Sequence, residues 1–115
     1  MGYRMILPAK RGGRLTETVS VGRKSIAFNR KIQQTMGIRS DSRIGVFVSE
    51  DGFLSFMVLA PDDRKGFPLK QYSTSASLLL HSKMLASHCE PGRYRIERRD
   101  GGFFVSECRW KEEAR

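Results

Sequence analysis

Hydrophobic and polar positions fall into short alternating runs separated by turn residues, the pattern of a β-rich fold. Thr16 to Val21 alternates Thr, Val and Ser and suits a strand, and Ser25-Ile26-Ala27-Phe28 is a short apolar strand. Asn29 is a good helix N-cap. From Arg30 to Met36, Ile32 and Met36 stand four apart, which predicts one apolar stripe on a two-turn helix. Gly37 supplies the residue at which such a helix ends. After the polar turn Arg39-Ser40-Asp41-Ser42, the run Arg43 to Ser49 places Ile44, Val46 and Val48 on one face. Glu50-Asp51-Gly52 then carries the Asp-Gly hairpin signal, and Phe53 to Leu59 is the returning strand. Ala60 to Gly66 reads as a loop, Phe67 to Tyr72 as a further strand, and Ser73-Thr74-Ser75 as a connector.

The same order of signals recurs. Ser77-Leu78-Leu79-Leu80 matches Ser25 to Phe28, with His81 in the place of Asn29 and Lys83-Met84 in that of Lys31-Ile32. Arg93-Tyr94-Arg95-Ile96 matches Arg43 to Val46, and Phe103-Phe104-Val105 matches Phe53 to Ser55. The offset is 52 residues in the first part and 50 in the second. A strand–helix–hairpin unit of this size cannot cover its own apolar face. Two such units interlocked into one sheet also remove unpaired edges. The expectation is therefore a mainly β, α+β fold with short helices: a small barrel of two strand–helix–hairpin repeats, about 22–59 and 77–107, closed within one chain or in a homodimer. It occupies 16–110, after a basic arm at 1–15 and before a charged tail at 111–115.

Charge sharpens the functional reading. The chain of 115 residues has 21 Lys+Arg against 12 Asp+Glu, a formal net charge of +9. Ten of the basic groups, against two acids, lie in residues 1–43. This front-loaded charge points to a polyanion, and Lys10-Arg11-Gly12-Gly13-Arg14 adds a flexible basic segment. No run of about 18 apolar residues spans a membrane. Met5 to Leu7, interrupted by Pro8, is too short for a secretory signal core. The chain reads as soluble and cytoplasmic.

Lys31-Ile32-Gln33-Gln34-Thr35-Met36-Gly37-Ile38, followed by a polar turn, an alternating strand, an acidic hairpin turn and a return strand, resembles the AbrB/MazE-like swapped-hairpin β-barrels. These are bacterial transition-state regulators and antitoxin DNA-binding domains. The resemblance covers 22–59 well and 77–107 weakly. It implies a small DNA-binding transcription regulator, with contacts carried by Arg23, Lys24, Arg30 and Lys31. The chain departs from the family at Asn29, where proline is usual, and at Gln33 and Gln34, where basic residues are common. A looser resemblance, through Phe28-Asn29 and Leu80-His81, is to PC4-like single-stranded DNA-binding proteins.

On this reading Lys10, Arg11, Arg14, Arg23, Lys24, Arg30 and Lys31 contact phosphates, and Asn29, Gln33 and Gln34 are placed to read base edges. A single-strand binder needs aromatics exposed on a sheet face, for which Phe47, Phe53, Phe56, Tyr94, Phe103 and Phe104 are candidates, although a β-rich core claims most of them. A third alternative is a protein-interaction module with an acidic protein partner. Catalysis finds little footing. His81, His88, Cys89 and Cys108 lack zinc-ligand spacing, Asp62-Asp63 reads as a solvated turn, and Gly12-Gly13 is too brief for a phosphate-binding loop. A non-enzyme without cofactor or metal is expected. Cys89 and Cys108 read as two reduced thiols, and Trp110 as a cap on the barrel.

Overall fold

The computed structural model describes residues 17–72 and 75–114. The chain runs β1 (Thr18–Val21), β2 (Ser25–Phe28), α1 (Arg30–Met36), β3 (Arg43–Val48), β4 (Phe53–Leu59), β5 (Phe67–Pro68), β6 (Lys70–Gln71), β7 (Leu78–His81), α2 (Lys83–Ser87), β8 (Gly92–Arg99) and β9 (Phe103–Arg109). A 3₁₀ turn at Asp100–Gly102 links the last two strands.

Every strand pairing is antiparallel, in the order β5-β3-β4-β9-β8-β1-β2-β7-β6. The two ends of that order, β5 and β6, are separated only by Leu69, so the sheet curls back on itself into a nearly closed barrel. β8 makes one corner. Its first half pairs with β1, from Thr18 opposite Arg95 to Val21 opposite Gly92. Its second half pairs with β9, from Ile96 opposite Ser106 to Arg99 opposite Phe103.

Alternation decides which side chains line the interior. Val19, Val21, Ile26 and Phe28 point inward from β1 and β2. Leu54 and Phe56 do so from β4, and Phe104 and Cys108 from β9. The rings of Phe28 and Phe56 meet edge to face with centroids 5.3 Å apart, which joins the β2 and β4 sides of the core. α1 contributes Ile32 and Met36, the predicted stripe. It starts because Asn29 Oδ1 accepts from the Ile32 N–H at 2.8 Å. It stops at Gly37, whose φ of 78° is a left-handed conformation open to glycine at little cost. Gly52, with φ 88°, serves the β3–β4 hairpin in the same way.

Several expectations need adjusting. The second helix is capped by Ser82, whose Oγ accepts from the Leu85 N–H, and not by His81, which stays in β7. The serine hydroxyl reaches the free helix N–H from an extended backbone, so the second unit enters its helix one residue later. Leu85 therefore takes the buried position, while Met84 is 58% exposed. The run 67–72 forms two two-residue strands broken at Leu69. The third strand ends at Val48, one residue short of the expected Ser49.

Candidate nucleic-acid interface

The two ends of β2 carry the predicted basic residues. At its start, the Gly22 N–H donates to Ser25 O at 2.8 Å and closes a tight turn. The turn holds Arg23 and Lys24 outward, and both are exposed. Because Ser25 lies opposite His81, the Ser82 N–H reaches Lys24 O at 3.0 Å. This braces the turn against the start of α2 and brings exposed Lys83 into its neighbourhood. At the far end of β2, Arg30 and Lys31 stand exposed on the first turn of α1. The two basic groups thus flank the whole of β2, with Lys24 and Arg30 six residues apart along the chain.

Neither first helical turn contains an acid. Cations there oppose the helix macrodipole, which favours negative charge at that end by about 0.3–1 kcal/mol per group. Ion pairing does not offset this. Among the described residues the ion pairs are Arg99–Glu97 at 3.6 Å and Lys111–Glu90 at 2.6 Å, both remote from these positions in sequence. Arg43 differs. It is half-buried, and Nε and Nη1 donate to Pro61 O and Gly66 O at 2.9 and 3.0 Å, so its charge holds a loop.

The amides divide. Asn29 caps α1 through Oδ1. Gln33 Nε2 donates to Phe28 O at 2.7 Å and Ala76 O at 2.9 Å, tying α1 to the segment before β7. Both of its N–H donors have structural partners. Gln34 is exposed and enters no side-chain hydrogen bond with the described residues. Lys10, Arg11 and Arg14 lie outside the described residues. Lys83 is the addition. Its place beside Lys24 follows from the β2–β7 register, which no local pattern shows.

The remaining polar side chains hold the fold together. His88 stacks on Trp110 with centroids 4.2 Å apart, and its Nδ1 is 2.6 Å from Lys111 O. Trp110 is half-buried against the core. Lys111, at the head of the expected tail, is anchored through the same contact and through Glu90. His81 Nε2 lies 3.0 Å from the Tyr72 hydroxyl. Cys89 and Cys108 are both buried. A hydrogen bond with Cys89, together with burial, holds the Cys108 thiol far above the ordinary range. A reactive cysteine needs the opposite environment. No cluster of three His, Cys, Asp or Glu side chains suited to a metal ion occurs among the described residues. Nor is any helix among them long and apolar enough to cross a membrane.

Comparison with protein-family models, curated proteins and solved structures finds no match to this chain.

Proposed function

We propose that the protein is a small DNA-binding regulator that grips duplex phosphates through Arg23, Lys24 and Lys83 at one end of β2 and Arg30 and Lys31 at the other. The observation that carries this reading is that all five cations are exposed and enter no ion pair with the described residues. The two groups stand at opposite ends of β2, which gives the duplex backbone two separate points of attachment. Such contacts gain affinity by releasing condensed counterions, and they position the protein without reading sequence. Gln34, on the same helix as Arg30 and Lys31, is the amide left to meet a base edge. Lys10, Arg11 and Arg14, which lie outside the described residues, add three further basic groups.

The AbrB-type architecture is part of the proposal. Strand, helix and hairpin follow in the same order twice: β2-α1-β3-β4 and β7-α2-β8-β9. Ala27 pairs with Leu79, and Ser55 with Val105. These are equivalent positions at the sequence offsets of 52 and 50. Antiparallel pairing centred on equivalent residues is what an internal two-fold axis produces, and it supports a doubled unit.

The test is fluorescence anisotropy with duplex and single-stranded oligonucleotides across a salt series. The wild-type chain favours duplex and shows a steep loss of affinity with salt. Replacing Arg23, Lys24, Arg30 and Lys31 together by Ala flattens the log–log salt slope by up to about 3.6, at roughly 0.9 per phosphate contact. An unchanged slope eliminates this surface. Preference for single strands favours the PC4-like alternative, and no binding near physiological salt favours an acidic protein partner.

A further inference from the structure

Away from β2, the strands β4, β9 and the second half of β8 carry an outward face with two shallow grooves, of about 570 and 520 Å³, that meet at Arg99 and Val105. The even-numbered Leu54, Phe56, Phe104 and Cys108 point into the core, so the odd-numbered residues of β4 and β9 face outward. The rings of Phe47 and Phe103 line one groove, edge to face with centroids 5.2 Å apart, and Phe47 is 41% exposed. Five carboxylates border the grooves: Glu17, Glu97 and Glu107 in the larger, Glu50 and Asp51 in the smaller. Three arginines stand among them, Arg95, Arg99 and Arg109, the last 4.8 Å from the Phe53 ring centroid. Five acids against three arginines give this face a net charge of −2, in a chain whose net charge is +9.

Connection and charge together identify an occupant within the same chain. The described residues begin at Glu17, which itself lines the larger groove. The Ile96 N–H donates to Glu17 O at 3.0 Å, one step beyond the Thr18–Arg95 pair. Because β1 and β8 are antiparallel, the chain preceding Glu17 is aimed along β8 toward Glu97 and Arg99. Residues 1–16 carry Arg4, Lys10, Arg11 and Arg14 and no acid, a charge of +4. The same segment holds Met5-Ile6-Leu7, an apolar match for the exposed ring of Phe47. Length is sufficient. Lys10 is seven residues from Glu17, a reach of up to about 23 Å at ~3.3 Å per residue, whereas crossing from β8 to β4 takes ~10 Å, two strand spacings. A tethered segment also meets the face at an effective concentration in the mM range, on the order of 10⁻³ M, an advantage over any separate cationic molecule.

We infer that the basic segment 1–16 docks on this acidic face of its own chain, with Lys10, Arg11 and Arg14 against the carboxylates and Met5 to Leu7 over the Phe47 and Phe103 rings. The docked segment covers the one face whose charge would repel a nucleic acid. The inference stands apart from the DNA-binding proposal, whose five cations at the ends of β2 lie elsewhere. A net of −2 on the face offsets only half of the segment's +4, and the remainder stays available to a duplex.

Carbodiimide coupling of the full chain at about 0.01 M salt, where screening is weak, tests it by joining the Lys10 ammonium to any carboxylate it touches. The expected product is a monomer in which peptide mapping finds Lys10 joined to Glu97, Glu107, Glu50 or Asp51. Arg11→Glu combined with Arg14→Glu is expected to reduce that coupling several-fold, with every acceptor still in place and the circular dichroism spectrum unchanged. An uncoupled Lys10 overturns the inference, as does a Lys10 joined only to Glu17 or only to acids elsewhere, such as Asp62, Asp63 and Glu90. So does coupling found only in a covalent dimer, which would make a second copy the occupant, or coupling that the double variant leaves at full yield.

Discussion

At the scale of single residues, side chains whose chemistry suggests a functional role are drawn into the framework. Asn29 caps α1, Gln33 bridges α1 to the segment before β7, and His88 is clamped between Trp110 and Lys111. The Cys108 thiol and the Tyr94 hydroxyl lie together at the edge of the core. Cys108 is raised by its hydrogen bond with Cys89 and by burial, from an ordinary 9.0. Tyr94 is raised by burial and by the neighbouring Cys108, from 10.0. Both are neutral acids whose protonated forms the fold favours. Their stabilising effect is complete below their ordinary values and fades as pH rises through them, because the unfolded chain loses its protons first. The urea midpoint should accordingly be flat near neutrality and decline from about pH 9 upward. Cys108→Ala should remove much of that decline, and an equal decline in that variant would show that the thiol is not its source.

At the scale of elements, local signals and distant pairings carried different information. The bounds of β2, α1 and β4 follow from the sequence alone, because alternation, an N-cap, an i,i+4 apolar stripe and two turn glycines all agree there. The second helix was harder to read. Ser82 and His81 are both able to precede a helix, and only the burial of Leu85 over Met84 separates them. The division of β8 between β1 and β9, and the closure of the sheet through Leu69, depend on contacts far apart in sequence. The candidate site followed the same rule. Arg23, Lys24, Arg30 and Lys31 were legible as charge, whereas Lys83 came into view only through the β2–β7 register. The contact between β2 and β4 gives a stability test. Phe56→Ala removes a fully buried ring and its edge contact with Phe28. It should cost about 3–5 kcal/mol in denaturant unfolding. A cost below about 1 kcal/mol would mean that the two sides of the barrel do not share one core.

At the scale of the whole molecule, two faces divide the surface by charge. The β2 side gathers exposed cations with no described acid paired to them, and the β4–β9 side sets Arg95, Arg99 and Arg109 among five carboxylates, Glu17, Glu50, Asp51, Glu97 and Glu107. A net charge of +9 spread evenly would give weak attraction to any polyanion. Five of the 21 basic residues, Arg23, Lys24, Arg30, Lys31 and Lys83, stand at the two ends of one short strand, which gives a defined footprint. The most direct measurement is amide chemical-shift mapping of the full chain during titration with a short duplex at physiological salt. The DNA-binding account predicts shifts concentrated at Gly22 to Lys24, Arg30 to Gln34 and Ser82 to Met84, with β4 and β9 little affected. Shifts confined to the β4–β9 face, or none at saturating duplex, would contradict it.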